Sequence, residues 1–162
     1  MTDWGKTIQW RNDLNIKRMA MMHPFPITEM VEKTWYENIL GSTDNKTVYF
    51  TITKKDDIPI GFITLKNINY THKNCSLGIV IGDTGEQSKG YGKEAMELII
   101  LYAFNTLNLN KITVEVVESN NKALALYKRL GFTEEGRLKQ HYYADGEYFS
   151  VIFLSIFKKN NA

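Results

Sequence analysis

Gln87-Ser88-Lys89-Gly90-Tyr91-Gly92-Lys93 sets two glycines and two lysines directly before a run of helix-forming residues. The first amides of a helix are unpaired, and the aligned peptide dipoles add about half a positive charge there. An anion at that spot is stabilised by both effects. Gly90 and Gly92 carry no side chain, so a phosphate can approach the backbone, and successive amides can form an anion nest. Gln87 adds a side-chain donor, and Lys89 and Lys93 add charge. One reading is a seat for a cofactor's pyrophosphate. The spacing alone fits an ordinary strand–helix loop with solvated lysines equally well.

Two other phosphate motifs can be tested on the same residues. A P-loop needs G-x-x-x-x-G-K-[ST]. Gly85 and Gly90 have that spacing, but Tyr91 stands where the lysine belongs. The dinucleotide pattern G-x-G-x-x-G/A is formally present from Gly90 to Ala95, and Glu115 lies near the place of an acidic ribose contact. Its first glycine should follow a strand at once, whereas the loop Asp83 to Lys89 intervenes here. A nicotinamide cofactor is therefore disfavoured.

Metal chemistry has little to work with. His23, His72 and His141 are scattered, and Cys75 is the only cysteine. No pair has the spacing of a zinc site, so no metal is expected. Cys75 reads as a buried strand thiol, and a lone cysteine suits a reducing, cytoplasmic setting. The net charge of +2 over 162 residues argues against nucleic acid or an anionic membrane as partner. No signal-peptide core opens the chain, and no apolar run reaches membrane-spanning length. The length suits a single domain, 1–162.

The elements that must position these residues follow from periodicity and breakers. Residues 4 to 20 predict one loosely periodic helix, ended by Pro24 and Pro26. Thr28 caps a second helix, whose Val31, Trp35 and Ile39 form an apolar stripe, and Gly41 ends it. Lys46–Lys54, Ile60–Tyr70 and Cys75–Asp83 read as three consecutive strands, an antiparallel meander. After the glycine turn, Lys93 to Asn105 is helical and apolar on most sides. Lys111 to Val117 is a strand. Ser119 or Asn120 then caps a short helix that Gly131 stops. Two final strands, about 132–143 and 147–157, are joined through Asp145-Gly146, a strong hairpin signal. The sum is a mixed α/β (α+β) fold with helices on both faces of its sheet.

Gln87 to Gly92 matches Q/R-x-x-G-x-G/A, and Asn120 to Phe132 matches N-x-x-A-x-x-x-Y-x-x-x-G-F. In that order, with a strand between, the two blocks resemble the GNAT N-acetyltransferase superfamily, in its ribosomal-protein-alanine and spermidine or diamine acetyltransferase-like branch. The likeness covers nearly the whole chain. It implies a mainly antiparallel central sheet, with a first strand that is missing or very short here, since Asp3 already sits where that strand would exit. An open sheet edge would allow a homodimer.

The resemblance also assigns roles. Acetyl-CoA is the cosubstrate, held by Ile79, Val80 and Ile81, by the loop Gln87, Ser88, Lys89, Gly90, Tyr91, Gly92 and Lys93, and by Asn120. The strand before the loop splays from its parallel neighbour, and the pantetheine arm pairs with the exposed backbone. Tyr127 is the general acid for the departing thiolate. Its other reading is packing beside Leu124 and Leu130. Related enzymes often carry a base at the position of Ser76, which is a poor one. Glu29, His23 or a water chain are the replacements. His23 and Phe25 on one side and His141 and Tyr142 on the other would wall the acceptor groove. A polyamine there needs acidic residues, with Glu29, Glu32, Asp145 and Glu147 available. The implied reaction is direct transfer of acetyl to a primary amine of a small molecule, a polyamine or an amino sugar, nucleotide-linked or free. A protein N-terminus is the alternative acceptor, and a non-catalytic acyl-CoA-binding module is the alternative class.

Overall fold

A computed structural model describes residues 4–41 and 43–159. The expected first strand falls on residues outside that range. The chain begins with helices α1 (Trp4–Asn12), α2 (Leu14–Met19) and α3 (Glu29–Gly41). Strands β1 (Val48–Lys54), β2 (Ile58–Asn69) and β3 (Asn74–Ile81) follow as the expected meander. Helix α4 (Tyr91–Leu101), strand β4 (Lys111–Val117), helix α5 (Asn121–Arg129) and the hairpin β5 (Thr133–Ala144) and β6 (Glu147–Phe157) complete the fold. The six strands lie in the order β1-β2-β3-β4-β6-β5, with β3–β4 the one parallel pair among them.

Alternation along the strands divides side chains between two faces. Ile63 and Leu65 of β2 and Leu77 of β3 join Met96, Ile99 and Phe104 in the main core beneath α4 and α5. On the other face Phe62 and Val80 pack with Trp10 and Ile16 of the N-terminal helices. That second cluster relies on Gly82, because a Cβ there would run into the Trp10 ring. The hairpin turn has Asp145 at φ 52° and Gly146 at φ 88°, the two positive values of a type I′ turn.

Four local features differ from the sequence expectation. The first helix is two, because the Asp13 carboxylate accepts the Ile16 amide at 2.9 Å and starts α2 afresh. The stripe of α3 is rotated: Val31 is 57% exposed, while Glu32 is fully buried. Glu32 turns inward because it has partners there. Thr7 Oγ1 donates to it at 2.7 Å and the Arg11 guanidinium at 2.5 Å. A buried carboxylate is stable only with such compensation. Arg11 in turn lies over the Trp35 ring, 4.3 Å from its centre. The helix from the glycine turn ends in a wide turn, Tyr102–Thr106, with the Leu107 amide donating to Tyr102 O at 3.1 Å. Leu98 and Leu101 of α4 are exposed, so that helix buries one face and not most of its surface.

Candidate active site

The parallel ladder between β3 and β4 runs Asn74–Lys111, Cys75–Ile112, Ser76–Thr113 and stops. Beyond it, Leu77 to Ile81 and Val114 to Val117 part company, as the resemblance implied. Unpaired backbone along two diverging strands is an edge on which an extended ligand can hydrogen-bond. A groove of about 1550 Å³ opens there. Ile79, Val80 and Ile81 line it along β3, and Gln87, Ser88, Gly90, Gly92 and Lys93 line its loop end. Asn120 and Tyr127 close it from the α5 side, and His23 reaches it from the N-terminal segment.

The loop owes its shape to local bonds. Asp83 accepts the Gly85 amide at 3.0 Å, and Gln87 Nε2 donates to Ile81 O at 2.9 Å, lacing the loop to the strand it leaves. The Gln87 donor expected for phosphate thus serves the loop itself. Ser88 and Gly90 take φ of 63° and 97°, flanking Lys89 with left-handed backbone, as nest-forming turns do. A Cβ on Gly90 would meet nothing within 4 Å, whereas one on Gly92 would fit in ordinary contact with Ile81, Leu126 and Ile79, 3.7 Å at the closest. Lys89 and Tyr91 are not in the lining. Lys89 Nζ donates to Glu86 at 3.0 Å, and Lys54 donates to the same carboxylate at 2.8 Å. Those hydrogen bonds, Lys54's first, hold the Glu86 carboxyl below its usual range. Tyr91 packs on the main core. Lys93 reaches the groove while pairing with Glu97 one turn on, at 2.9 Å.

Asn120 caps α5, its Oδ1 accepting the Ala123 amide at 3.1 Å, and its Nδ2 donates to Met19 O at 3.2 Å. Tyr127 is 6% exposed, tilted against Phe132 at 5.7 Å. Burial pushes its phenol up to about 12, so it holds its proton and can only donate it near neutral pH. It both packs in the core and lines the groove, so the two readings of this residue are not exclusive.

The acceptor side departs more from expectation. Glu29 stands exposed in the first turn of α3, outside the groove lining, where a carboxylate complements the helix dipole. Phe25 is 66% exposed and touches His23 ring to ring at 4.8 Å without lining the groove. His141 lies in the irregular part of β5 between Leu138 and Tyr142, where Gln140 has φ 50°, and it is exposed outside the groove. Tyr142 donates its hydroxyl to Lys17 O at 3.4 Å, a contact to α2 and not to the groove. Of the four acidic residues considered for a cationic acceptor, none lines the groove. Glu32 is neutralised, and Asp145 sits 3.4 Å from Arg18.

Asp13 and Glu115 are the carboxylates in the groove lining among the described residues. Asp13 already caps α2. Thr113 Oγ1 lies 3.5 Å from Ser76 Oγ, and Glu115, two residues on, points from the same face of β4. Sequence reading had weighed Glu115 for a ribose contact alone. It also missed Lys66, directly across from Ser76 on β2, whose alternation Phe62-Thr64-Lys66 marks one face. Among the described residues no helix is long and apolar enough to cross a membrane, and no cluster of His, Cys, Asp and Glu has the makings of a metal site.

The family model described as Acetyltransferase (GNAT) domain matches residues 1–133. The chain is 31% identical to spermidine N(1)-acetyltransferase of Vibrio cholerae over 140 residues, 86% of this chain and 79% of that protein. It is 27% identical to spermidine N(1)-acetyltransferase of Escherichia coli K12 over 150 residues, 93% of this chain and 78% of that one. The crystal structure of the Vibrio cholerae spermidine N-acetyltransferase in complex with CoA and spermine superposes with a TM-score of 0.86 at 29% identity, covering 96% of this chain and 89% of that chain. The splayed strands, the glycine turn and the tyrosine therefore belong to a GNAT N-acetyltransferase, an enzyme that draws its acetyl group from acetyl-CoA.

Proposed function

We propose that this chain acetylates a primary amine of a small molecule by direct attack of the amine on the thioester, in the opening between β3 and β4. The observation that carries this is the ladder that stops at Ser76 and Thr113, with its freed strands, the Gly90 turn and Tyr127 sharing one groove. The residues fit the cosubstrate: nest-like backbone at Ser88 and Gly90 suits a diphosphate, and unpaired strand edges suit an amide-containing arm. Bound there, acetyl-CoA supplies the activated acyl carbon and a thiolate leaving group.

The protein's own work is then positional and protonic. An alkyl ammonium must lose a proton to become a nucleophile. Glu115, on the opened stretch of β4, replaces Glu29 as the carboxylate placed to receive that ammonium and its proton. Ser76 stays too weak a base for that task. Tyr127 donates its proton to the departing sulfur. Its raised pKa does not defeat it, because a thiolate in the same desolvated groove is raised too. His23 borders the acceptor entrance.

The acceptor is a polyamine or an amino sugar, free or nucleotide-linked. Similarity to spermidine N-acetyltransferases supports the first. A cytoplasmic location and a homo-oligomer complete the proposal; a dodecameric structure of the similar Vibrio cholerae enzyme supports the latter. The test is an amine panel with acetyl-CoA, following free thiol, run beside Tyr127→Phe. Thiol release with one acceptor class, lost in the variant while coenzyme A still binds, is the expected result. Equal turnover in both proteins would remove Tyr127 from the reaction, and coenzyme A binding with no turnover on any amine would favour a binding module.

A further inference from the structure

The acceptor face of the groove has an unexpected charge pattern. Lys66 of β2 stands directly opposite Ser76 of β3, which in turn pairs with Thr113 of β4. Side chains directly opposite one another share a face, so Lys66 projects from the face that carries Thr64 and the Ser76–Thr113 pair. Its row lies where the parallel ladder ends, beside the mouth of the splay. Arg11 lines the same groove and is close enough to act on Lys66 electrostatically. Arg11 has Glu32 as its counter-ion, and among the described residues no carboxylate pairs with Lys66. The lining nearby carries neutral polar groups, Asn38 of α3, Thr47, Thr64 and Asn67, beside apolar Trp35, Ile39 and Phe62.

Glu32 answers Arg11, and Glu115 stands two strands away across Ser76 and Thr113, so Lys66 is left without an anion of the protein's own. The cofactor's diphosphate cannot make up the difference. Its loop begins after Ile81, five residues along β3 from Ser76, or ~17 Å at the usual strand rise. We propose that Lys66 seats an anionic group, phosphate or carboxylate, carried by the acceptor in addition to the amine that is acetylated. Glu115, on the same face of β4, then takes the amine end, and the neutral hydroxyls and amides take what lies between. Of the acceptors considered above, an amino sugar bearing phosphate has this chemistry, while spermidine would bring further positive charge to Lys66. Desolvation along the groove wall, and then Arg11, hold the Lys66 ammonium below the usual lysine range, while the side chain stays exposed and open to an incoming group.

This inference rests on the groove being the acetyl-transfer site, so binding and turnover are read separately. Two matched pairs of amines isolate the anion: glucosamine against glucosamine 6-phosphate, and cadaverine against lysine. Spermidine is the polycationic arm. Binding to the coenzyme A-loaded protein is measured by calorimetry, and turnover by thiol release, for wild type, Lys66→Gln and Lys66→Glu. Thermal unfolding confirms that each variant is folded. The expected result is tighter binding of the anion-bearing member of at least one pair, weakened roughly tenfold to a hundredfold by Lys66→Gln through KM and not kcat. Lys66→Glu should shift binding towards spermidine. The phosphate pair and the carboxylate pair tell the two anions apart. Wild type favouring spermidine over both anionic amines, or anionic amines whose binding ignores both substitutions, would overturn the proposal. Absence of thiol release with every amine would instead count against the transfer reading, and calorimetry would still decide the role of Lys66.

Discussion

The groove has two limbs that are held in different ways. The cofactor limb, from Leu77 through the Gly90 turn and on to α5, is secured mainly by neighbours in sequence, with Lys54 on Glu86 as its longer tie. Gln87 laces to Ile81, Asp83 caps Gly85, and Asn120 caps α5 through Ala123. The acceptor limb is secured by bonds between distant residues. Asn120 reaches Met19, Tyr142 reaches Lys17, and Arg18 reaches Asp145, spans of 101 to 127 positions. Beneath them Glu32 of α3 ties together Thr7 and Arg11 of α1. The first limb is therefore expected to keep its shape when the second is perturbed.

The largest expected effect tests chemistry where the limbs meet. Tyr127→Phe should lower kcat about a hundredfold to ten-thousandfold with an unchanged coenzyme A dissociation constant, read by thiol release and calorimetry. The same phenol sets a pH signature. Its folded pKa of about 12 lies above the ordinary 10.0, so the folded state favours the protonated form. Its contribution to stability is complete below pH 10 and is lost as pH rises to about 12, which urea titrations across that range would register. Tyr127→Phe should remove that step. No loss of general-acid activity from Tyr127 ionisation is expected between pH 7 and 10.

Next comes the root of the acceptor limb. Glu32→Ala leaves Arg11 without its buried carboxylate and should cost about 3–5 kcal/mol in chemical denaturation. If the limbs are independent, the folded fraction retains its affinity for coenzyme A. Gly90→Ala forces a side chain into left-handed backbone and should cost about 1–2 kcal/mol. It should raise KM for acetyl-CoA and leave acceptor KM alone, the mirror image of the Glu32 result. Asp145→Asn removes an exposed ion pair with Arg18 and should change stability by less than about 1 kcal/mol. Any kinetic effect should fall on acceptor KM.

The same division runs through what could be read in advance. The strands, the type I′ hairpin and the caps at Thr28 and Asn120 follow from local chemistry, and all appear in the fold. The glycine-loop motif and the α5 motif are legible because their spacing is contiguous and each element holds its own shape. The resemblance puts Glu29, Phe25, His141 and Tyr142 at the acceptor groove, and none of them lines it. No local pattern shows that α3 rotates to bury Glu32, because the reason is a guanidinium and a hydroxyl on another helix. Nor does one show that Lys66 and Glu115 share a face with Ser76, which depends on the register of three strands.

By itself the sequence determined the run of strands, the glycine turn before α4 and the cap of α5, since these rest on backbone geometry and hydrogen bonds within a few residues. The tertiary structure alone decided which charges meet in the acceptor limb. Coulomb energy depends on separation in space, and only strand pairing and helix packing bring Arg11, Lys66 and Glu115 around one groove.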